Sequence, residues 1–287
     1  MSEAAFGVLA LSTADGASAR VCRHGAQVLG WCPRGAERDL LYLSPRSVYA
    51  DGAAIRGGIP VVFPQFGGFG PLPKHGFART RAWRLVDRAG TDRIAFECSD
   101  DAMTRACWPH AFRARLEVAL DADSLATALT VTNTGDATLS FTAALHTYLA
   151  VRNIAQACVH GLAGARYLDA TQSLREDVEE RDAVTFDGEF DRVYPATAHE
   201  LVLEDAGERI TVEREGFADA VVWNPGAEKA AALPDLGDGD WRRFLCIEPA
   251  VFAPPVTLAA GARWRGVQRL RHSVFLTKPD ALFNLYS

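Results

Sequence analysis

No Cys-X-X-Cys pair occurs in the 287 residues; the six cysteines (Cys22, Cys32, Cys98, Cys107, Cys158 and Cys246) are scattered. In a chain of this size they read as reduced, mostly buried thiols, as expected of a cytoplasmic protein. The N-terminus lacks a basic region, carries Glu3 early and soon reaches Ser12-Thr13-Ala14-Asp15, so it does not read as a signal peptide. No uninterrupted apolar run approaches the ~18 residues that a membrane helix needs. Gly67-Gly68-Phe69-Gly70 lacks the Gly-Lys-Ser/Thr ending of a phosphate loop, no Gly-X-Gly-X-X-Gly opens a helix, and no Gly-X-Ser-X-Gly elbow occurs. The seven histidines form no i, i+2 or i, i+4 pair, which removes a local zinc motif. A net charge of −6 and a pI near 5.7 disfavour nucleic acid or an anionic membrane as partner.

What is present is β structure. Apolar residues make up 48% and charged residues 23%, enough for a substantial core. Short alternating segments recur with turns between them: Gly7–Leu11, Ala19–Cys22 and Gln27–Trp31, with a hairpin signal at Asp15-Gly16. Trp83–Arg88 and Arg93–Cys98 follow, then Phe112–Leu120, Leu125–Asn133 and one long strand over Leu139–Val151. Asp100–Trp108 reads as a short helical turn ending before Pro109. Leu174–Arg181 resists a strand assignment. No βαβ alternation, repeat or linker appears, so the expected fold is all-β, a large antiparallel β-sandwich in one domain over 1–287. The apolar tail His272–Ser287 reads as a segment docked on this chain or on a partner.

The stretch Ile55–Leu85 stands apart. Glycines at 57, 58, 67, 68, 70 and 76 and prolines at 60, 64, 71 and 73 forbid a helix and limit strand to short pieces. Phe63, Phe66, Phe69, Phe77 and Trp83 give it surface to bury, which argues against disorder. Lys74, Arg79, Arg81 and Arg84 fall within eleven residues that contain no acid. Two readings stand: a packed surface loop with solvated arginines, or the anion-holding wall of a binding site.

Elsewhere, alternation puts Leu139, Phe141, Ala143 and Leu145 on one face of a strand and Ser140, Thr142, Ala144, His146 and Tyr148 on the other. His146 is then either a hydrogen-bonded structural residue or a site residue. Glu248, at the end of the apolar run before Pro249, is either a rim glutamate or a carboxylate held in a pocket. Asp191 and Asp219 read as turn residues or as acceptors for sugar hydroxyls.

Taken together, Arg56-Gly-Gly-Ile-Pro-Val-Val-Phe-Pro, Pro73-Lys-His-Gly-Phe-Ala-Arg79, Leu145-His-Thr-Tyr, Phe190-Asp-Arg-Val-Tyr, Val221-Val-Trp-Asn-Pro and Cys246-Ile-Glu-Pro occur in an order that resembles the D-hexose-6-phosphate mutarotases (glucose-6-phosphate 1-epimerases) of the aldose 1-epimerase superfamily. The resemblance spans roughly residues 6 to 271 and implies a galactose mutarotase-like supersandwich. It implies His146 as general acid and Glu248 as general base. It implies Arg56, Lys74, Arg79 and Asp191 as substrate contacts, with His75 close by and Asp219 as a further substrate-binding candidate. Lys74 departs from the glutamine frequent at that position in relatives, and a cation there suits a phosphate.

The chemistry agrees with that set. Anomer interconversion removes a proton from the C1 hydroxyl and protonates the ring oxygen, which takes one acid and one base and no metal or cofactor. The expected partner is a small hexose phosphate, and the expected state is a monomer. Two alternatives stay open: an aldose 1-epimerase acting on unphosphorylated sugars, and a non-catalytic sugar-phosphate-binding protein.

Overall fold

Alternation dictates the architecture. In Phe112–Leu120 the residues Phe112, Ala114, Leu116, Val118 and Leu120 are buried, while the intervening ones reach solvent wholly or in part. Such a strand needs a partner on each side and an apolar layer on one face. A computed structural model, which describes residues 6–275, supplies both. Phe112–Leu120 pairs antiparallel with Ser124–Asn133 on one side and Arg93–Ser99 on the other.

These strands belong to a nine-stranded sheet that runs from Ala183–Val184 through Cys158–His160, Glu200–Asp205, Glu208–Glu215, Arg263–Val274, Ser124–Asn133, Phe112–Leu120 and Arg93–Ser99 to Arg84–Asp87. An eight-stranded sheet faces it. Its order is Arg175–Val178, Arg166–Asp169, Phe190–Tyr194, Asp219–Asn224, Phe244–Leu258, Leu139–Leu145 and Val61–Val62, with Tyr148–Ala150 also paired to Phe244–Leu258. A three-stranded sheet of Val8–Ser12, Ser18–Cys22 and Val28–Cys32 completes the set. All pairings between these named strands are antiparallel. The fold is therefore the expected large antiparallel β-sandwich. One apolar cluster fills its middle, drawing Trp31 from the small sheet, Leu116 and Leu129 from the nine-stranded sheet, and Phe141, Leu245 and Ile247 from the eight-stranded one.

The helical turn after Asp100 is the α-helix Ala102–Cys107, capped by Asp101, whose carboxylate accepts from the Thr104 N–H while the Thr104 hydroxyl accepts from the Asp101 N–H. Two expectations are corrected. The segment Leu139–Val151 is two strands, Leu139–Leu145 and Tyr148–Ala150, because His146 and Tyr148 give their N–H groups to the carbonyls of Pro60 and Gly58. Arg175–Val178, within the stretch that resisted assignment, is an edge strand paired to Arg166–Asp169; all four of its residues are exposed, so it carries no apolar alternation. His272–Val274 ends the last long strand, and the Phe275 N–H donates to Gly207 O; the remainder of the tail lies outside the described residues. Among the described residues, no helix is long and apolar enough to cross a membrane.

Candidate active site

The face of the eight-stranded sheet turned away from the central core carries the site. Along Phe244–Leu258, Leu245 and Ile247 enter the core, so Phe244, Cys246 and Glu248 point the other way. Strand register then lines residues up in rows. Asp191 faces Trp223, Trp223 faces Cys246 and Cys246 faces Tyr148; in the neighbouring row Val193 faces Val221 and Val221 faces Glu248. Ala144 pairs with Ala250 and Tyr148 with Cys246, which sets His146 opposite Glu248 between them.

The glycine- and proline-rich stretch walls this face. Gly58 lies at φ 62° against the Val28 carbonyl, and Gly76 at φ 68° against the Phe63 carbonyl; a Cβ at either would collide with that oxygen. These close approaches lay the chain along the sheet edge and bring His75 and Arg79 over the sheet face. The result is a cavity of about 370 Å³ lined by Arg56, Phe66, Lys74, His75, Arg79, His146, Tyr148, Asp191, Trp223, Lys229, Asp235 and Glu248, among others. Its size and its few converging polar groups are those of a small-ligand site. A larger hollow, about 570 Å³, lies against the nine-stranded sheet and is lined by aliphatic side chains, acids and arginines, with neither histidine nor aromatic ring. The chemistry points to the smaller one.

At its floor, His146 Nδ1 lies 3.3 Å from Glu248 Oε1. The two residues are 6% and 2% exposed, and Glu248 Oε2 has no hydrogen-bond partner among the described residues. The His146 ring stacks on Tyr148 with centroids 4.8 Å apart and an 8° tilt, and Trp223 and His75 meet it edge-on at 5.6 and 5.4 Å. Burial, then Asp191, pushes the Glu248 carboxyl well above the usual carboxylate range. Burial above all, with the nearby Arg79, Arg56 and Lys74 cations, holds His146 well below its ordinary value. Both shifts favour an uncharged pair carrying one proton between them.

The cations divide into two kinds. Arg56 donates to both oxygens of Asp235, at 3.1 Å each, and to the Tyr148 hydroxyl at 3.0 Å. Lys229 bonds Glu189 at 2.7 Å and lies 3.7 Å from Asp191. Arg79, in contrast, gives Nη2 to the Lys74 carbonyl at 3.2 Å, its buried Nε is unpartnered, and no carboxylate lies within 4 Å among the described residues. Lys74 is exposed at the mouth and likewise makes no ion pair there. His75, at φ 69°, accepts the Gly67 N–H at Nδ1 over 3.4 Å; burial and then Arg79 lower its pKa to about 2, so the ring is neutral.

Of the residues expected from sequence, seven thus meet in one cavity: Arg56, Lys74, His75, Arg79, His146, Asp191 and Glu248. Asp219 does not. Its carboxylate, 2% exposed, accepts the N–H groups of Ala196 (3.1 Å), Phe252 (2.7 Å) and Ala253 (3.4 Å), tying the start of its strand to two neighbouring segments. Sequence reasoning also passed over Tyr148, Trp223, Lys229 and Asp235. Tyr148 and Trp223 sit inside the quoted motifs. Lys229 lies on the short helix Gly226–Ala231 and Asp235 in the loop after it, where no periodic signal marks them.

The aldose 1-epimerase family profile matches residues 7–271. The chain belongs to that family. It is accordingly an isomerase of the epimerase kind. It is 38% identical, over 264 residues, to a protein of Cenchrus ciliaris named provisionally as a glucose-6-phosphate 1-epimerase, spanning 86% of this chain and 79% of the relative. A protein of Escherichia coli K12 with the same provisional name is 34% identical over 235 residues, 79% of this chain and 77% of that one. Among solved structures, one provisionally termed a mutarotase from Salmonella typhimurium superposes with a TM-score of 0.83 at 29% identity, covering 90% of this chain and 88% of its own.

Proposed function

We propose that this epimerase interconverts the α and β anomers of hexose 6-phosphates, glucose 6-phosphate among them, using His146 and Glu248. The observation that carries the proposal is the presence, in one cavity, of a buried imidazole–carboxyl pair and two cations, Arg79 and Lys74, without carboxylate partners. A half-buried guanidinium without a carboxylate partner is costly, and a phosphate oxyanion is the natural group to offset it in bidentate geometry. The relatives named for glucose 6-phosphate support the same substrate.

In ring opening, Glu248 as carboxylate takes the proton of the C1 hydroxyl while protonated His146 gives one to the ring oxygen. The C1–O5 bond breaks and the aldehyde forms. The pair now holds its single proton on Glu248 with His146 neutral, the arrangement that burial favours. Rotation about C1–C2 presents the other face of the carbonyl. His146 then takes the C5 hydroxyl proton, Glu248 returns its own to the carbonyl oxygen, and the ring closes as the opposite anomer. The proton count of the pair is the same at start and end. Arg79 and Lys74 hold the phosphate, Asp191 and Arg56 meet sugar hydroxyls, and Trp223 and Phe66 flank the ring. We take the enzyme to work in the cytoplasm, where scattered cysteines without a Cys-X-X-Cys pair are expected, and to act as a monomer.

His146→Ala and Glu248→Gln variants with wild-type circular dichroism are each expected to lose about 10²–10⁴-fold in kcat for glucose 6-phosphate anomerisation. Wild-type rates in both would overturn the assignment.

A further inference from the structure

A second cluster of ligating side chains lies away from this cavity, near one end of the nine-stranded sheet. Cys158 and His160 flank Val159, which is fully buried in the core, so alternation turns the thiol and the imidazole to the opposite, outward face. Register sets Glu204 of the neighbouring strand directly across from Cys158 and diagonal to His160. The three groups converge on one point. Cys158 Sγ is 3.4 Å from His160 Nε2, and the same Nε2 is 3.4 Å from Glu204 Oε2. All three ligand atoms lie within 4.8 Å of one another.

Hydrogen bonding accounts for only half of this. A neutral imidazole nitrogen either donates once or accepts once, so Nε2 serves the thiol or the carboxylate, not both. A tetrahedral cation serves both. With metal–sulfur near 2.3 Å and metal–nitrogen or –oxygen near 2.0–2.1 Å, tetrahedral edges come out at about 3.5 Å for S···N and about 3.3 Å for N···O. The observed separations, 3.4 and 3.4 Å, sit on those edges.

The carboxylate is already prepared. Arg209 donates to Oε1 of Glu204, which leaves Oε2 turned to His160. His160 and Glu204 are partly exposed, so an ion has a path in and a solvent molecule can complete its shell.

We propose that Cys158, His160 and Glu204 form a three-residue binding site for a zinc-class divalent cation, separate from the catalytic cavity. A thiolate, an imidazole and a carboxylate form a donor set that suits zinc over magnesium or calcium. Binding displaces the Cys158 thiol proton to solvent, so affinity rises with pH through the thiol's titration. The ion would clamp Cys158–His160 to Glu200–Asp205, linking two strands near the sheet edge.

Cobalt(II) titration of the full chain under reducing conditions tests this. The expected result is one equivalent bound, with a sulfur-to-cobalt charge-transfer band in the near ultraviolet and the intense visible bands of a tetrahedral ion; zinc chloride added afterwards bleaches both. Cys158→Ser should abolish the charge-transfer band, and His160→Ala or Glu204→Gln should weaken binding by about tenfold or more. His146, Cys246 and Glu248 are the other such cluster among the described residues, and Cys246→Ser should leave the band intact. No charge-transfer band at saturating cobalt, or a band that survives Cys158→Ser and disappears with Cys246→Ser, would overturn the proposal. Circular dichroism of each variant separates loss of the site from loss of the fold.

Discussion

His146 stands opposite Glu248 across two paired strands, with Nδ1 and Oε1 3.3 Å apart and both side chains closed off from bulk solvent. His146 lies in the two-residue break between Leu139–Leu145 and Tyr148–Ala150, and paired residues on either side of that break hold its backbone against Phe244–Leu258.

The protonation of the pair governs the pH profile. Were both groups at ordinary values, the state with one proton on the pair would exist only between the carboxylate and imidazole ranges, on the acid side of neutrality. Here burial lowers His146 and raises Glu248, so the one-proton state extends beyond that window on both sides. A plot of kcat against pH is expected to show a broad plateau that includes neutral pH, falling in acid as His146 gains a second proton for the pair and in alkali as Glu248 loses the last. An alkaline limb beginning near the ordinary imidazole value would contradict it.

Arg79 is expected to read the phosphate. Replacing it by Ala removes a charge-assisted contact worth about 1.5–3 kcal/mol, so kcat/KM for glucose 6-phosphate should fall about 10–150-fold. Activity on unphosphorylated glucose should barely change. Equal losses on both sugars would show Arg79 to be scaffold.

His75 carries a pH-dependent part of the stability. Its pKa is about 2 in the folded chain, against the ordinary 6.5, so below 6.5 the unfolded chain binds a proton that the folded chain does not. The contribution is whole above pH 6.5 and is lost progressively as pH falls from there toward 2. At pH 5 the loss should be about 2 kcal/mol. His75→Asn, which tolerates the positive φ, should flatten that part of the curve in urea unfolding at pH 7 and pH 5. An unchanged slope would contradict the assignment.

Asp219 should matter to stability and not to turnover. Asp219→Ala leaves three backbone N–H groups without their acceptor and is expected to cost roughly 3–5 kcal/mol in chemical denaturation. The KM of the folded fraction should stay within about twofold of wild type, as expected of a side chain outside the cavity.

Much of this was legible in the sequence. Alternation located strands in the first half of the chain, up to Leu145, but named none of those from Cys158–His160 to Arg263–Val274; it put His146 on the face opposite Leu145, because period two survives even the break after Leu145: Thr147 still points inward, to Gln268. The break itself was not legible. It depends on which carbonyls His146 and Tyr148 reach, and those belong to Pro60 and Gly58, far away in the chain. The same limit hid the rows across the sheet, since strand order decides that Trp223 lies between Asp191 and Cys246. Arg175–Val178 escaped for a different reason: with every residue exposed, it has no apolar face to announce it. Asp219 shows the converse, an acid beside a turn whose partners are backbone groups that only the folded chain supplies.

The most direct test is anomer exchange measured by NMR, with glucose 6-phosphate and glucose at equal concentration, with and without the protein. Faster exchange of the phosphate ester, with little effect on glucose, is the predicted result and would join the His146–Glu248 pair to the cations above it. Equal acceleration of both sugars, or of neither, would contradict the account.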